Sequence, residues 1–494
     1  MMFLNETDLI NARITMGAKL NESSIIRYII ENDLNSEIKR KMSEGQRYYC
    51  GKHDIFQKDF RVSRITEEKN NEIFSNSENS ERIVNFNNPN RSNHHNINVF
   101  HKILVDQKVS YIASREPTIT VKGADKDLTL KEYEKALISF ADENFNECIQ
   151  ELIIGASNKG FESIHIYYDE NGKFCYSIVP AEELIIFLDE KYQKEVEQVI
   201  RYYYINVVKD GRKYKRRKVE WWTKEDVTYY VEKDENLFIK DTSFDYNPSP
   251  HWWDIELLNN MEKNRVPHSW GCVPFIILKN NPYMTTDLEP IKGLIDAYDL
   301  ISSDGVNNLL DLVDLYWVIE GYGGETASAI VKKLQINKAV NISDSSGSIE
   351  AKQVELPLQG RLNYLNMLRR DIFHFGMGVD VDIEKFGNAP SGVSLKFRYT
   401  LLDLKAENMI SKLKMVIKKL LWYFTEDLNR RYISNFDSSL VNVTINKSVI
   451  TNDVEIVNMI KASKNIVSDK TLLSRHPFID DVNDELQEIA NQKL

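Results

Sequence analysis

Cysteine is scarce: only Cys50, Cys148, Cys175 and Cys272 occur in 494 residues, and no two stand close together. Their separation suggests neither a zinc cluster nor a dense disulfide framework, and fits synthesis in a reducing cytoplasm. Long apolar runs are also missing. The longest, such as Leu184-Ile185-Ile186-Phe187-Leu188, fall far short of the roughly 20 residues a membrane helix needs, and no basic-then-apolar leader opens the chain. The expectation is a protein neither secreted by that route nor spanning a membrane. Nor is there an excess of positive charge. The 63 Lys and Arg stand against 74 Asp and Glu, a formal net charge of -11, which disfavours holding nucleic acid by bulk charge.

Catalytic motifs are equally sparse. No G-x-x-x-x-G-K-[ST] string occurs, and the cluster Gly321, Gly323, Gly324 lacks the phosphate-binding lysine and reads as a turn. Ser157 misses the spacing of a nucleophile elbow by one residue and sits at a predicted helix end, where capping is its expected role. His94-His95 has no carboxylate or third histidine at helical spacing, so a solvated loop is the simpler reading. Asp380, Asp382 and Glu384 alternate like the start of a calcium loop. However, Lys385 replaces the required glycine, and no glutamate follows at the twelfth position. Those three acids leave one enzymatic alternative, a magnesium-dependent nuclease. The main expectation is a protein that is not an enzyme and needs no cofactor or metal.

What is present is ample core material, with 42% hydrophobic residues including 24 Tyr, 21 Phe and 7 Trp. The length allows two or three compact parts, and the expected class is an α+β multidomain chain. Short helical patterns, including Ser24 to Glu31, open it, and an Asn-rich stretch, Asn85 to Asn98, has the composition of a surface loop. Apolar residues at helical spacing from Leu130 to about Asn158 predict a helix, with Gly160 at its C-terminal cap. Antiparallel strands follow: Ser163 to Tyr168, a turn at Asp169 to Gly172, then Phe174 to Val179. Ile200 to Val208 and Lys218 to Thr223 flank a turn at Asp210-Gly211. The basic run from Arg212 to Lys218 reads as a solvated hairpin more readily than as a DNA grip.

The second half is dominated by helices. Leu288, Ile291, Ile295, Tyr298, Ile301, Gly305, Leu309, Leu312 and Tyr316 step by three or four, predicting one helix of about thirty residues, roughly 45 Å long. A small region from Tyr316 to about Pro357 reads as strand, short helix (Thr326 to Leu334), strand, turn (343 to 347) and strand. A helix from Arg361 to Phe375 follows, ending at Gly376 and Gly378, then a loop to Ser391. The third long helix carries Leu395, Tyr399, Leu402, Ala406, Met409, Leu413, Val416, Leu420 and Tyr423 in a heptad-like seam. That seam suits either a buried core helix or a coiled coil between subunits. A strand near Val441 to Ile445 and helices from about Asp453, Ser468-Asp469 and Asp481 predict a small helical end domain.

Several segments, by their order and spacing, carry a resemblance to a known family. They are Tyr49-Cys-Gly51-Lys-His-Asp-Ile55, Val273-Pro274-Phe275-Ile276 with Asn280-Asn281, Leu294-Ile-Asp-Ala-Tyr-Asp299 with Ser302-Ser-Asp304, Pro390-Ser-Gly392, and Ser468-Asp-Lys-Thr471. From about Tyr48 to the C-terminus the chain resembles the portal proteins of long-tailed bacteriophages, whose wing, stem, clip and crown assemble as a ring. The resemblance implies a mixed α/β wing at 1–286, a first stem helix at 287–315, and a small α/β clip at 316–360. A second stem helix at 361–375, a tunnel loop at 376–391, a long helix at 392–430 and a helical crown at 431–494 complete the correspondence.

The resemblance implies a dodecamer in the virion, a capsid-vertex channel for double-stranded DNA during packaging and ejection, present in host cytoplasm during assembly. Terminase would dock on the clip, a head-completion adaptor would later take its place, and scaffolding and major capsid proteins would be further partners. The expected tunnel-loop residues are Asp380, Asp382, Glu384, Lys385, Phe386 and Asn388. The expected channel-lining acids of the stem are Asp296, Asp299, Asp304, Asp311 and Asp314. Facing inward, those acids would repel DNA and keep the conduit slippery; a solvated outer face is the alternative. Another virion structural protein, a minor capsid or head-tail adaptor subunit, is the second functional reading.

Overall fold

The structure is a computed structural model. It describes residues 22–67, 82–87, 91–189, 191–192, 194–209, 211–234, 237–258, 262–311, 316–320, 348–352, 358–380, 392–432, 434–447, 453–464, 466–473, 476, 479 and 482–492. The chain divides into two compact units, one from Met1–Cys50, His101–Pro290 and Phe373–Leu494, the other from Gly51–Phe100 and Ile291–Ile372. Helix and sheet are mixed, as the α+β class requires.

Helices α1 (Glu22–Leu34) and α2 (Glu37–Tyr49) open the described chain, Ser36 capping α2 by accepting from the Lys39 amide at 3.2 Å. Strands β1 (Val62–Glu67) and β2 (Arg82–Asn87) form an antiparallel pair, so the Asn-rich stretch begins as strand. Next come α3 (Phe100–Ala113) and β3 (Thr118–Val121). The single helix predicted over Leu130 to Asn158 is in fact two, α4 (Leu128–Phe140) and α5 (Glu143–Lys159). Asp142 takes extended backbone and accepts from the Phe145 amide at 3.0 Å, an N-cap that interrupts the chain. Apolar periodicity misses the break because Tyr133, Leu137, Phe145, Ile149 and Leu152 enter the same core on both sides of it. Gly160 ends α5 at φ 90°, as expected, and a Cβ there would lie 1.9 Å from the Met284 carbonyl oxygen.

Strands β4 (Phe161–Tyr168) and β5 (Phe174–Val179) form the predicted hairpin. A larger sheet contains β6 (Leu184–Leu188), β7 (Val196–Lys209), β8 (Arg212–Trp222), β9 (Asp226–Asp234) and β10 (Leu237–Lys240) in the order β10-β9-β8-β7-β6, with β11 (Ser249–Pro250) on β9. β7 and β8 meet on either side of the predicted turn, with Gly211 at φ 73° before β8, although both strands run longer than expected; Asp210 lies outside the described residues. β12 (Trp252–Leu258) pairs with β13 (Glu262–His268), and β14 (Phe275–Lys279) adds to β4.

Helix α6 (Lys292–Asp311) has 20 residues, about 30 Å. It starts later than expected because Pro290, which restricts its neighbour and offers no amide donor, precedes its start, leaving Leu288 and Ile291 outside; Leu312 lies outside the described residues. β15 (Tyr316–Glu320) pairs antiparallel with β16 (Ser348–Lys352); the helix predicted at Thr326 to Leu334 and the turn at 343 to 347 lie outside the described residues. Helix α7 (Leu358–Phe375) ends before Met377, which takes φ 56°. Gly378 is there for space, since a Cβ would lie 2.1 Å from Leu104 Cδ2.

Helix α8 (Gly392–Tyr432) runs 41 residues, about 60 Å. From Leu402 to Tyr423 its seam is buried in the core of its own unit, among α3, α4, α5 and β4, the core-helix alternative. β17 (Val441–Thr444) pairs with β3, tying the end of the chain to the first third. Helices α9 (Asp453–Ala462), α10 (Asp469–Leu473) and α11 (Val482–Gln492) complete the described chain.

Candidate functional site

Helix α6 presents one polar face to an extended segment of its own unit. Asp299 Oδ1 accepts from the amide and Nδ2 of Asn98, both at 2.9 Å. One turn on, Ser303 Oγ accepts from the Asn96 amide at 2.9 Å. A further turn on, Asn307 accepts from the His94 amide at 2.7 Å and donates to the His94 carbonyl at 3.0 Å. The match is geometric: four helical residues rise about 6 Å and two extended residues about 6.6 Å, so every fourth side chain meets every second peptide. Within the stretch read from composition as a surface loop, 94–98 is therefore strapped to a helix, and His95 Nε2 lies 2.7 Å from the Lys58 carbonyl.

Two of the segments that carry the resemblance meet at the same helix. His53 Nδ1 lies 2.5 Å from Asp299 Oδ2, and Lys292 Nζ bonds both Asp54 at 2.7 Å and Asp296 at 2.8 Å. Asp299 is 1% exposed, so it has no surface of its own with which to line a channel; this corrects its expected place on the acidic face. The cause is the capture of both its oxygens, which repeated acids in a sequence do not reveal. Asp296 and Asp304 keep 35% and 34% of their side chains exposed, but each has a cation, Lys292 and Arg361 respectively, Arg361 reaching Asp304 at 3.0 Å. Asp311 is the last residue of α6, and Asp314 lies outside the described residues.

A second polar centre, in the other unit, stands where the chain departs at Pro290 and returns at Phe373. Lys108 Nζ, deep in the core, donates to Ser157 Oγ at 2.9 Å, Asn280 Oδ1 at 2.7 Å and Asp287 Oδ2 at 3.1 Å. Lys405 reaches the same Asp287 oxygen at 3.1 Å and the Gly376 carbonyl at 2.9 Å, so one ammonium binds the chain just before it leaves and just after it returns. Asn280 Nδ2 completes the carboxylate at 2.9 Å, and Lys412 donates to the Asn280 carbonyl at 2.9 Å. Burial pushes the Lys108 ammonium down to about 8. Burial also pushes Asp287 up, but Lys108 and Lys405 outweigh it and hold the carboxyl well below its usual range. Ser157 is thus inside α5, donating to the Ile153 carbonyl at 2.7 Å, and acts as a lysine acceptor. Sequence reasoning missed Lys108 and Lys405. The signal available was Asn280-Asn281, whose second member folds the 281–285 turn by accepting from the Tyr283 and Thr285 amides.

Of the expected tunnel loop, Val379 is held at both backbone groups by Gln107, at 2.8 and 3.0 Å, and Asp380 follows it. Asp382, Glu384, Lys385, Phe386 and Asn388 lie outside the described residues. Among the described residues no group of three or more His, Cys, Asp or Glu is placed to hold a metal ion, and no helix is long and apolar enough to cross a membrane.

Each unit thus has a polar centre that ties together segments distant in sequence, Asp299 with His53 and Asn98 in one and Asp287 with Lys108 and Lys405 in the other. The family described as Phage portal protein, SPP1 Gp6-like, matches residues 29–493. The chain is 29% identical over 454 residues to the portal protein of Bacillus phage SPP1, covering 91% of this chain and 83% of that one. It is 28% identical over 474 residues to the portal protein of Clostridium phage phiCD119, covering 93% of each. The chain belongs to the SPP1 Gp6-like family of phage portal proteins. Portal proteins are structural, forming the ring at a capsid vertex through which DNA is packaged and ejected. The family thereby settles the choice against a minor capsid or adaptor subunit.

Proposed function

We propose that α6, the β15–β16 pair and α7 are the stem and clip of a dodecameric portal ring, with 1–286 as wing and 431–494 as crown. The observation that carries this reading is the helix, strand pair, helix order within one compact unit, 291–372. Residues 51–100 pack in that unit as well, so the wing read from sequence contributes a segment to the stem. A closed ring of identical subunits requires head-to-tail contacts, and the stems would form its wall.

In this reading Asp296, Asp304, Asp311 and Asp314 face the channel, and the loop at 376–391, with Asp380, Asp382, Glu384, Lys385, Phe386 and Asn388, touches DNA weakly and repeatedly. Lys292 and Arg361 temper the first two acids, so the wall repels phosphate without a steep field. Terminase docks on the clip and supplies the energy of packaging, a head-completion adaptor succeeds it, and scaffolding and major capsid proteins meet the outer face. Electron microscopy of the purified protein is the first test, with twelvefold rings expected and small monomers refuting the assembly. Charge reversal of Asp304 and Asp311 to Lys in rings that still assemble should slow DNA packaging; unchanged packaging and retention would remove the acids from the channel.

A further inference from the structure

The ribbon made by β7 and β8 outruns its sheet. β6 pairs with β7 only as far as Arg201, and β9 pairs with β8 only from Lys218 onward. Between them, 203–209 and 212–217 pair only with each other among the described residues, a two-stranded arm of about 23 Å. Two-stranded ribbons are marginal alone in water, and this one leaves Tyr204, Val208 and Tyr214 at 53%, 65% and 50% exposure. It also concentrates Lys209, Arg212, Lys213, Lys215, Arg216 and Arg217 against the single acid Asp210, within a chain whose formal net charge is -11. Among the described residues Arg212, Lys213 and Lys215 form no ion pair.

The complementary surface is a groove of about 700 Å³ between α4, α5, the β4–β5 hairpin and α8. Its rim carries exposed Asp142, Glu147 and Glu151, and its walls include Phe140, Tyr167 and Tyr176. Glu147 and Glu151 form no ion pair among the described residues. Arg431, at the same groove, is already held by Asp427 at 2.8 Å, leaving Lys173 as the remaining cation there. No residue of the ribbon lines this groove in its own chain.

We infer that the β7–β8 arm of one subunit seats in the acidic, aromatic groove of a second copy, as a head-to-tail contact of the portal ring. This rests on the ring reading above. Two different, mutually complementary patches on one chain can form a heterologous contact, and it is the ring reading that selects this over a reciprocal exchange of arms in a twofold dimer. Exposed tyrosines and valine along the arm favour a protein groove over duplex DNA, whose phosphates would engage the cations alone.

The test uses the full chain. R212E/K213E/K215E and E147K/E151K should each raise the concentration for half-assembly at least tenfold by native mass spectrometry, and the combined variant should recover assembly. Zero-length carboxyl-to-amine cross-linking of mixed ¹⁴N and ¹⁵N wild-type protein needs no variant to fold, and should join Lys213 or Lys215 to Glu147 or Glu151 between copies. Normal rings from both variants with no such cross-link would overturn the contact while leaving the ring reading intact. Arm variants that assemble normally but lose duplex DNA binding would overturn it in favour of a DNA contact. A wild-type chain that never assembles would remove the ring reading and the contact together.

Discussion

Replacing Asp287 with Ala should be among the most damaging single changes in the chain, and the size of the effect follows from what the carboxylate holds. Its Oδ2 is shared by Lys108 and Lys405, both at 3.1 Å, and the Lys108 side chain is 2% exposed. Without the carboxylate Lys108 must stay charged beside Lys405 or give up its proton. Neutralising a lysine at pH 7 costs about 4–5 kcal/mol at ~1.36 kcal/mol per pKa unit, which caps the penalty from that residue. Breaking a buried pair by removing one partner costs about 3–5 kcal/mol by mutational experience, in the same range.

Lys108→Met removes the buried cation instead, leaving Asp287 paired with Lys405, and sacrifices the bonds to Ser157 and Asn280. About 1–3 kcal/mol is expected. Local opening measured by hydrogen exchange at 155–160, 280–288 and 376–380 suits a chain of two units, where global unfolding need not be two-state. The double variant should cost less than the sum, with a coupling of about 1–3 kcal/mol. An Asp287→Ala effect below about 1 kcal/mol, or equal to that of Lys108→Met, would refute the shared-carboxylate argument.

Leu413→Ala, at a fully buried position of the α8 seam, should cost about 2–5 kcal/mol in denaturant unfolding of the subunit. Gly160→Ala meets both a left-handed backbone and the Met284 carbonyl; soluble protein with native protection at 155–160 would show the junction to be looser than described. Burial pushes the His165 imidazole down to about 3 and His251 down to about 4. The unfolded chain therefore takes up protons below about pH 6.5 that the folded one refuses, and their contribution to stability falls as pH drops from 6.5 towards 4. Urea midpoints against pH should show that slope, flattened in His165→Gln; parallel profiles would exclude the imidazole as its source.

How much was legible in the sequence depends on the range over which each signal acts. Gly160, Gly211 and the α8 seam were readable because turn chemistry and helical periodicity are local. The break at Asp142 was hidden by apolar spacing that continues across it, and the start of α6 by an apolar pattern that runs through Pro290. The Lys108, Asn280, Asp287 and Lys405 centre joins positions far apart in sequence, and its lysines look like any on a helix. Asp299 misled for the same reason, since an acid in a polar helix looks solvated until His53 and Asn98 are brought to it. The family resemblance, by contrast, was legible in the spacing of segments such as Tyr49 to Ile55 and Leu294 to Asp299, two stretches the fold brings together.

The strap along α6 has a consequence for how this part of the gene can vary. Asp299, Ser303 and Asn307 bind the peptide groups at 98, 96 and 94, while the side chains of Asn98 and Asn96 donate to Asp299 and Ser302 respectively. Point changes at 94 and 95 leave those backbone bonds in place, whereas deleting one codon between 94 and 98 moves part of the ladder out of step with a helix that cannot slide to follow. Natural variation here should therefore be rich in spelling and strict in length, and a single-codon deletion should be more damaging than several simultaneous substitutions.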